Sequence, residues 1–510
     1  MKSILLISPP VSKPCESPAG LAKLAWALRA QKVDCRIYDA GIDGILDLLH
    51  RPIAADDTWS QRALAGRTAN IDALRSLDLY RNRDRYKRAV MDVNRILHMA
   101  GLEFGAALSL SNYGSSAFSP VRSADLIRAA EVFKSNPFYS IFSKKLLDLF
   151  DQREPAIVGM SINFISQALC AFSMIGFIRR HLPQTSIICG GGLVTSWMNI
   201  PNLGNPFGGL IDEMVCGPGE NRLIALCTGK NDIQSSVTDY DFSSLNMDRY
   251  LSPVRVLPYA TSRGCYWKKC AFCPETAEDA IYSTGTPQTI MEDLGQVAEQ
   301  TSARLVHFLD NALSPRMLRH LIDQPPVLPW YGFARVTRHL TDPGFVSGLK
   351  ASGCVMLKLG VESGDQDVLD ALGKGIHIDT VSRALDTIHQ AGIATYVYLL
   401  FGTPAEDEHS AERTLEFTLA HSPSIDFLNL AIFNLPAYSD EADGLDTGDF
   451  YEGDLSLYRE FIHHQGWSRD RVRRFLSKRF KRHSAIRAIL NNDPPFFTSN
   501  HAPFFNLVNG

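Results

Sequence analysis

Three cysteines stand apart from the rest of this sequence. Cys265, Cys270 and Cys273 lie within nine residues, in Arg263-Gly264-Cys265-Tyr266-Trp267-Lys268-Lys269-Cys270-Ala271-Phe272-Cys273. Thiolates so close in sequence converge on one metal centre only from a loop, and Gly264 lets the chain turn towards it. The count of three is informative. A purely electron-transferring iron–sulfur cluster is ordinarily held by four cysteines, so three leave one iron open to a substrate or cofactor. Zinc is the competing occupant. Its structural sites take a fourth ligand with paired spacing, no second pair of that kind exists here, and His307 and His339 could serve only by coincidence of folding. The other seven of the ten cysteines are Cys15, Cys35, Cys170, Cys189, Cys216, Cys227 and Cys354. They are scattered in apolar or strand-like settings and read as small buried hydrophobes rather than disulfide partners.

Elements that could position such a loop are legible around it. The loop directly follows a predicted strand at 257–261. Further strands are predicted at 305–309, 330–334, 355–359, 395–400 and 427–433, with helices at 290–301 and 380–391 among the separators. About six β/α units predict a partial barrel, with functional residues at the C-terminal ends of its strands. Upstream, strand 2–8, a helix through Leu21, Leu24, Ala25 and Leu28, and strand 33–39 open a doubly wound parallel sheet. Residues 51–150, rich in Arg, Asp, Ser and Asn, break that rhythm and read as a largely helical insertion. The sheet resumes with strands at 157–161, 186–189 and 211–216. The predicted organisation is therefore a Rossmann-like domain at 1–230, a linker at 231–253, a barrel at 254–438 and a helical extension at 439–510. In that extension 469–482 is basic, with Val472, Phe475, Leu476 and Phe480 interleaved, and reads as a solvated amphipathic helix.

Bulk properties exclude several classes. A chain of 510 residues with 45% hydrophobic and 21% charged content can bury a large core in two or three domains. A formal net charge of −4 gives no footprint for nucleic acid. The apolar run Ile4-Leu5-Leu6-Ile7 is too short for the core of a signal peptide. Residues 156–178 carry no charge and are long enough to span a bilayer, but Ser161, Asn163, Ser166 and Gln167 interrupt them. A buried strand followed by a core helix is the reading here, so no membrane span is expected and the location expected is cytoplasmic.

The cysteine motif resembles that of the radical S-adenosylmethionine (radical SAM) superfamily, in which an aromatic residue, here Phe272, precedes the last cysteine. The first gap is four residues, Tyr266 to Lys269, one more than the common form. Ser262-Arg263-Gly264-Cys265 and Cys273-Pro274-Glu275 are similar to the branch with an N-terminal cobalamin-binding domain. Later motifs follow in that branch's order: His307-Phe308-Leu309-Asp310-Asn311, Ala334-Arg335, Lys358-Leu359-Gly360-Val361-Glu362-Ser363-Gly364, and Leu399-Leu400-Phe401-Gly402-Thr403-Pro404 with Glu406. The resemblance implies a [4Fe–4S] cluster on Cys265, Cys270 and Cys273, whose open iron chelates S-adenosylmethionine. It also implies that the reduced cluster cleaves that cofactor to a 5′-deoxyadenosyl radical. Phe272, Arg335, Glu362, Ser363, Gly402, Thr403 and Pro404 would contact or frame the cofactor, with Asp310 and Asn311 nearby. A flavodoxin or ferredoxin would supply the electron.

Residues 1–50 and 151–230 are similar to cobalamin-binding domains. The resemblance places Ser161, Asn163, Gly190, Gly191, Gly192, Gly217, Gly219 and Glu220 along a cobalamin cavity. Such domains often carry Asp-x-His-x-x-Gly, whose His ligates cobalt from below. Here Asp39-Ala40-Gly41-Ile42-Asp43-Gly44 keeps the ends of the motif and puts Gly41 at the His position, which excludes histidine ligation there. The first reading is a cobalamin-dependent radical methyltransferase acting on an unactivated carbon of a small-molecule or peptide substrate. The alternatives are radical rearrangement, cyclisation or oxidation without methyl transfer and, from another class, a non-catalytic metal-stabilised binding protein. Substrate choice is expected to reside in 51–150 and 440–510.

Overall fold

The computed structural model describes residues 2–231 and 239–508. The expected linker at 231–253 falls partly on 232–238, outside the described residues. The chain divides into two compact units, Met1–Arg255 with Tyr451–Leu457, and Val256–Phe450 with Tyr458–Gly510. Among the described residues no helix is long and apolar enough to cross a membrane.

The first unit is a five-stranded parallel sheet built from β1 (Ile4–Ser8), β2 (Cys35–Asp39), β3 (Ile157–Ser161), β4 (Ser186–Gly190) and β5 (Glu213–Met214), in the order β2-β1-β3-β4-β5. β1 and β3 are buried along their whole length, as expected of strands covered by helices on both faces. Crossovers α1 (Ala19–Ala30) and α2 (Ala40–His50) follow β1 and β2. The uncharged stretch at 156–178 is β3 and the start of α3 (Ile165–His181), whose residues Ser166–Ile178 are buried against the unit's own core. Sheet order reverses between β1 and β3, so the ligand crevice of this architecture opens at their C-terminal ends. The 51–150 insertion is helical, with a two-stranded hairpin of Ala106–Leu108 and Tyr113–Ser115.

The second unit is a six-stranded, all-parallel open barrel sheet. Its strands are β6 (Val256–Tyr259), β7 (Leu305–Leu313), β8 (Trp330–Ala334), β9 (Cys354–Glu362), β10 (Ala394–Phe401) and β11 (Phe427–Ile432), paired in chain order. Three of its helices begin with a capping side chain followed by proline: Thr286 before α4 (Pro287–Thr301), Ser314 before α5 (Pro315–Asp323) and Asp342 before α6 (Pro343–Ala351). Each cap accepts a first-turn N–H while the proline occupies a position whose N–H would have no partner.

The stretch after residue 439 is more divided than a helical extension. Thr447–Asp449 and Tyr458–Phe461 form a small antiparallel sheet with Leu435–Pro436. Tyr451–Leu457 belongs to the first unit, where Leu455 N–H donates to Val121 O at 3.0 Å and Arg122 pairs with Glu452 at 2.6 Å. The basic helix is Arg469–Lys478, with Val472, Phe475 and Leu476 buried and Arg471 and Arg479 paired to Glu408 and Glu412.

Candidate functional site

The cysteine loop leaves the C-terminal end of β6 and is fixed before it reaches Cys265. Ser262–Arg263 pairs antiparallel with Ser283–Thr284. Gly264 turns at φ +69°, where a Cβ would lie 3.1 Å from Ile281 O, so a side chain would strain the bend. Asp310, on β7 and 2% exposed, holds the approach. Its carboxylate accepts Thr261 N–H at 2.9 Å and the hydroxyls of Thr261 and Ser262 at 2.6 Å each. Burial pushes this carboxyl up and the three donors pull it back. Asp310 is thus spent on positioning the loop, whereas Asn311 and Leu309 are exposed on the same strand.

The three thiols sit close enough to influence one another. Burial pushes the Cys270 thiol up, opposed by the positive charges of Lys374 and Arg335 and reinforced by Glu362 and Cys265. Cys273 is pushed up to about 11, by burial first, against hydrogen bonds from the backbone at Glu275 and Thr276. Such half-buried thiols become thiolates when a metal replaces their protons. The chemistry of the donor set, three cysteine thiols on one loop, fits a [4Fe–4S] cluster, in which each cysteine ligates a different iron.

Around the loop the predicted residues separate into two groups. Glu362 and Arg335 face it. Glu362 ends β9 at φ +70°, beyond a register shift that begins at Gly360. A non-glycine residue held left-handed is strained, and such strain concentrates at functional sites. Lys374 Nζ pairs with Glu362 Oε1 at 2.8 Å, with the two side chains 9% and 12% exposed, and lies 5.5 Å from the centre of the Phe272 ring. Arg335 donates to Lys374 O and stacks on the Trp267 ring, its guanidinium 3.6 Å from the ring centre. Burial holds the Arg335 guanidinium below its ordinary range. Ser363 and Thr403, by contrast, are fully buried. Ser363 Oγ pairs with Thr414 Oγ1 at 3.1 Å and accepts Asp365 N–H, so it ties β9 to a helix rather than facing the loop.

The Gly402-Thr403-Pro404 turn is built from beneath. Gly402 stands at φ +76° and donates to Glu406, a fully buried carboxyl that also accepts Trp467 Nε1–H at 2.9 Å. Burial pushes Glu406 up to about 7 against those two donors. Lys374, Trp267, Glu406 and Trp467 are the contributors that sequence reasoning did not single out as site residues. A lysine twelve residues beyond Glu362 carries no local signal of its partner.

In the first unit the expected cofactor residues follow the C-terminal ends of β3, β4 and β5. Ser161 Oγ accepts from Asn163 Nδ2 at 3.1 Å, and Asn163 Oδ1 accepts Gly192 N–H at 3.0 Å. Gly191 sits at φ +103°, with a Cβ there 2.6 Å from Ile162 O, so the run from Gly190 folds back where no side chain fits. Gly217 (φ +67°) donates to Thr195 Oγ1 at 3.0 Å, and Gly217 and Gly219 border open space or one leucine methyl. Glu220 is buried in the first turn of Glu220–Thr228. Asp39 caps α2 through Gly41 and Ile42 N–H and accepts the Tyr250 hydroxyl at 2.6 Å. A Cβ at Gly41 would lie 3.0 Å from Asp39 Oδ1, a contact the carboxylate would have to ease by a few tenths of an ångström.

Comparison with known proteins places this geometry. Residues 259–418 match the radical SAM superfamily. An uncharacterized methyltransferase of Pyrococcus horikoshii is 25% identical over 206 residues, 38% of this chain and 43% of that protein. An anaerobic magnesium-protoporphyrin IX monomethyl ester cyclase of Rubrivivax gelatinosus is 22% identical over 233 residues, covering 39% and 41%. The chain therefore spans less than half the length of these curated relatives. The solved structure of the radical S-adenosylmethionine methyltransferase TsrM from Kitasatospora setae, with tryptophan and a SAM analogue bound, matches in fold. It has a TM-score of 0.54 and 15% identity, and the match covers 90% of this chain and 82% of that one. With its three-cysteine loop at the head of a six-stranded parallel sheet, the segment from residue 259 to 418 is a radical SAM domain.

Proposed function

We propose that the chain is a cobalamin-dependent radical SAM enzyme that methylates an unactivated carbon. One observation carries the reading: three neighbouring cysteines on one loop face a buried Lys374–Glu362 pair and Arg335, at the C-terminal end of a parallel barrel sheet. In this reading Cys265, Cys270 and Cys273 hold a [4Fe–4S] cluster, which when bound supplies the electron that cleaves S-adenosylmethionine. Glu362, at its strained position, offers a carboxylate to the cofactor's hydroxyl or amino groups. Phe272 packs on its apolar face, and the Gly402–Pro404 turn frames it with backbone groups. Lys374 holds the Glu362 carboxylate in place. Asp310 and Thr261 fix the strand that delivers Cys265.

Residues 1–230 are read as the cobalamin domain, with the cofactor over the Ser161–Asn163 and Gly190–Gly192 edge. Gly41 supplies no lower ligand, so the cobalt would be held without histidine. The 51–150 insertion and the 439–510 region would select a small molecule or peptide. A flavodoxin or ferredoxin would donate the electron, in the cytoplasm, where an oxygen-sensitive cluster persists. Support for methyl transfer comes from the methyltransferase names of two similar proteins. The cyclase among the relatives supports the rival of radical chemistry without methyl transfer. Anaerobic turnover with candidate substrates separates them. Methylated product that requires added cobalamin supports the proposal, and 5′-deoxyadenosine formation with an unmethylated product and no cobalamin binding overturns it in favour of the rival.

A further inference from the structure

The spacer between Cys265 and Cys270 does more than bridge them. Trp267, in the middle of it, donates from Nε1 to Gly373 O at 3.0 Å. Its ring carries the Arg335 guanidinium at 3.6 Å, and Lys269 Nζ lies 5.1 Å from the ring centre. The ring edge rests on Gly375, where any Cβ would run into it, and a Cβ at Gly373 would run into Lys269 O. Both glycines are left-handed, at φ +62° and +60°. Ala271 N–H donates to Leu372 O at 3.0 Å, which closes the seam on the other side of Cys270. Away from the seam, Lys268, itself at φ +45°, pairs with Asp279 at 2.5 Å.

Between those two glycines stands Lys374, whose carbonyl accepts from Arg335 and whose ammonium pairs with Glu362. The turn that receives Trp267 is thus the turn that aims Glu362. We infer that Trp267, seated on the Gly373–Lys374–Gly375 turn and under Arg335, is a positioning residue that sets the cysteine loop at a fixed distance from Glu362. The inference rests on the proposed function and adds to it a reason for the four-residue spacer. Trp267 is the second of the four spacer residues and supplies its anchor. An indole provides both things the seam requires, a donor for Gly373 O and a flat face for a guanidinium.

The test compares reconstituted wild-type protein with Trp267→Ala, Trp267→Phe and Gly375→Ala. Three quantities are read: iron and sulfide per chain, the dissociation constant for S-adenosylmethionine, and the change in the electron paramagnetic resonance spectrum of the reduced cluster when that cofactor is added. Residues that orient ligands from outside a metal site typically matter about 10–100-fold. Trp267→Ala is expected to load iron within about twofold of wild type, to bind the cofactor at least about tenfold more weakly and to lose the wild-type spectral change. Trp267→Phe, which keeps a face for Arg335 but loses the donor to Gly373 O, should recover only part of both. Gly375→Ala, which expels the ring, should copy Trp267→Ala and decides the matter if that variant fails to fold. A Trp267→Ala protein whose affinity per cluster and spectrum equal wild type overturns the inference, even if its melting temperature has fallen. Wild-type protein that takes up no cluster and binds no cofactor overturns the proposed function, and this inference with it.

Discussion

The two units build their candidate sites from opposite materials. In the barrel, charged and sulfur-bearing side chains are cross-linked to one another: Asp310 to Thr261 and Ser262, Lys374 to Glu362, Arg335 to Trp267. In the doubly wound unit the site is mostly absence of side chains. Gly190, Gly191, Gly192, Gly217 and Gly219 make room, with Ser161, Asn163 and Thr195 tying the backbone. The first arrangement suits a reactive centre that must be held to a fraction of an ångström. The second suits a large flat cofactor that needs space and backbone donors. The contrast teaches that damage to the barrel site should appear as lost chemistry, and damage to the sheet edge as lost fit.

The largest effect expected belongs to the cysteines. Changing any one of Cys265, Cys270 or Cys273 to Ala should remove most of the iron and lower S-adenosylmethionine cleavage by at least about a thousandfold, while far-ultraviolet circular dichroism stays native. Activity that survives all three single changes would dissolve the contrast. Next comes Lys374→Met. It leaves Glu362 nearly buried without its counter-charge, and breaking such a pair costs about 3–5 kcal/mol. Urea unfolding followed by tryptophan fluorescence would read that loss, and Glu362→Gln in the same chain should restore much of it.

Glu406 gives a pH-dependent comparison. Its folded pKa is raised to about 7 from an ordinary 4.5, chiefly by burial. The folded state therefore binds this proton more tightly than the unfolded state does. The contribution is fully present below about pH 4.5 and is lost as pH rises through about 7, a swing of roughly 3 kcal/mol at most. Glu406→Gln, which keeps an acceptor for Gly402 N–H, should flatten the barrel's stability across that window. An unchanged slope would show that Glu406 is not the titrating group.

The smallest effect lies at the sheet edge. Gly191→Ala meets both a left-handed φ and Ile162 O, and should cost about 1–3 kcal/mol and weaken cobalamin binding. Gly208→Ala, with open space around it, should stay within about 0.5 kcal/mol of wild type. Equal behaviour of the two alanine variants would remove the steric argument for the glycine run.

Much of this was legible in the sequence, and the boundary of legibility is physical. Periodicity placed all six barrel strands, Trp330–Ala334 to the residue, because buried parallel strands are short apolar runs whatever their partners. It overran the strand expected at 211–216, where only Glu213–Met214 pairs, because an edge strand is set by what its neighbour offers. It missed the extension of β7 to Leu313, whose polar Asp310 and Asn311 do not look like strand. The cysteines and Glu362 carried their own signal. Lys374 and Trp267 did not, since each acts through a partner brought near only by folding, and Glu406 was legible as part of a motif but not as the carboxyl that holds Gly402. Ser363 and Thr403 matched a motif and are fully buried, Ser363 against Thr414, which the motif alone did not tell. The small sheet of Thr447–Asp449 and Tyr458–Phe461 was invisible because its segments are too short for periodicity.

The most direct test of the whole account is hyperfine spectroscopy of the reduced, anaerobically reconstituted protein with S-adenosylmethionine isotopically labelled at its amino nitrogen and carboxylate oxygens. The account predicts direct coupling of both labels to one iron of a cluster held by Cys265, Cys270 and Cys273. A protein that carries zinc in place of iron, or a cluster with no coupling to either label, would contradict it.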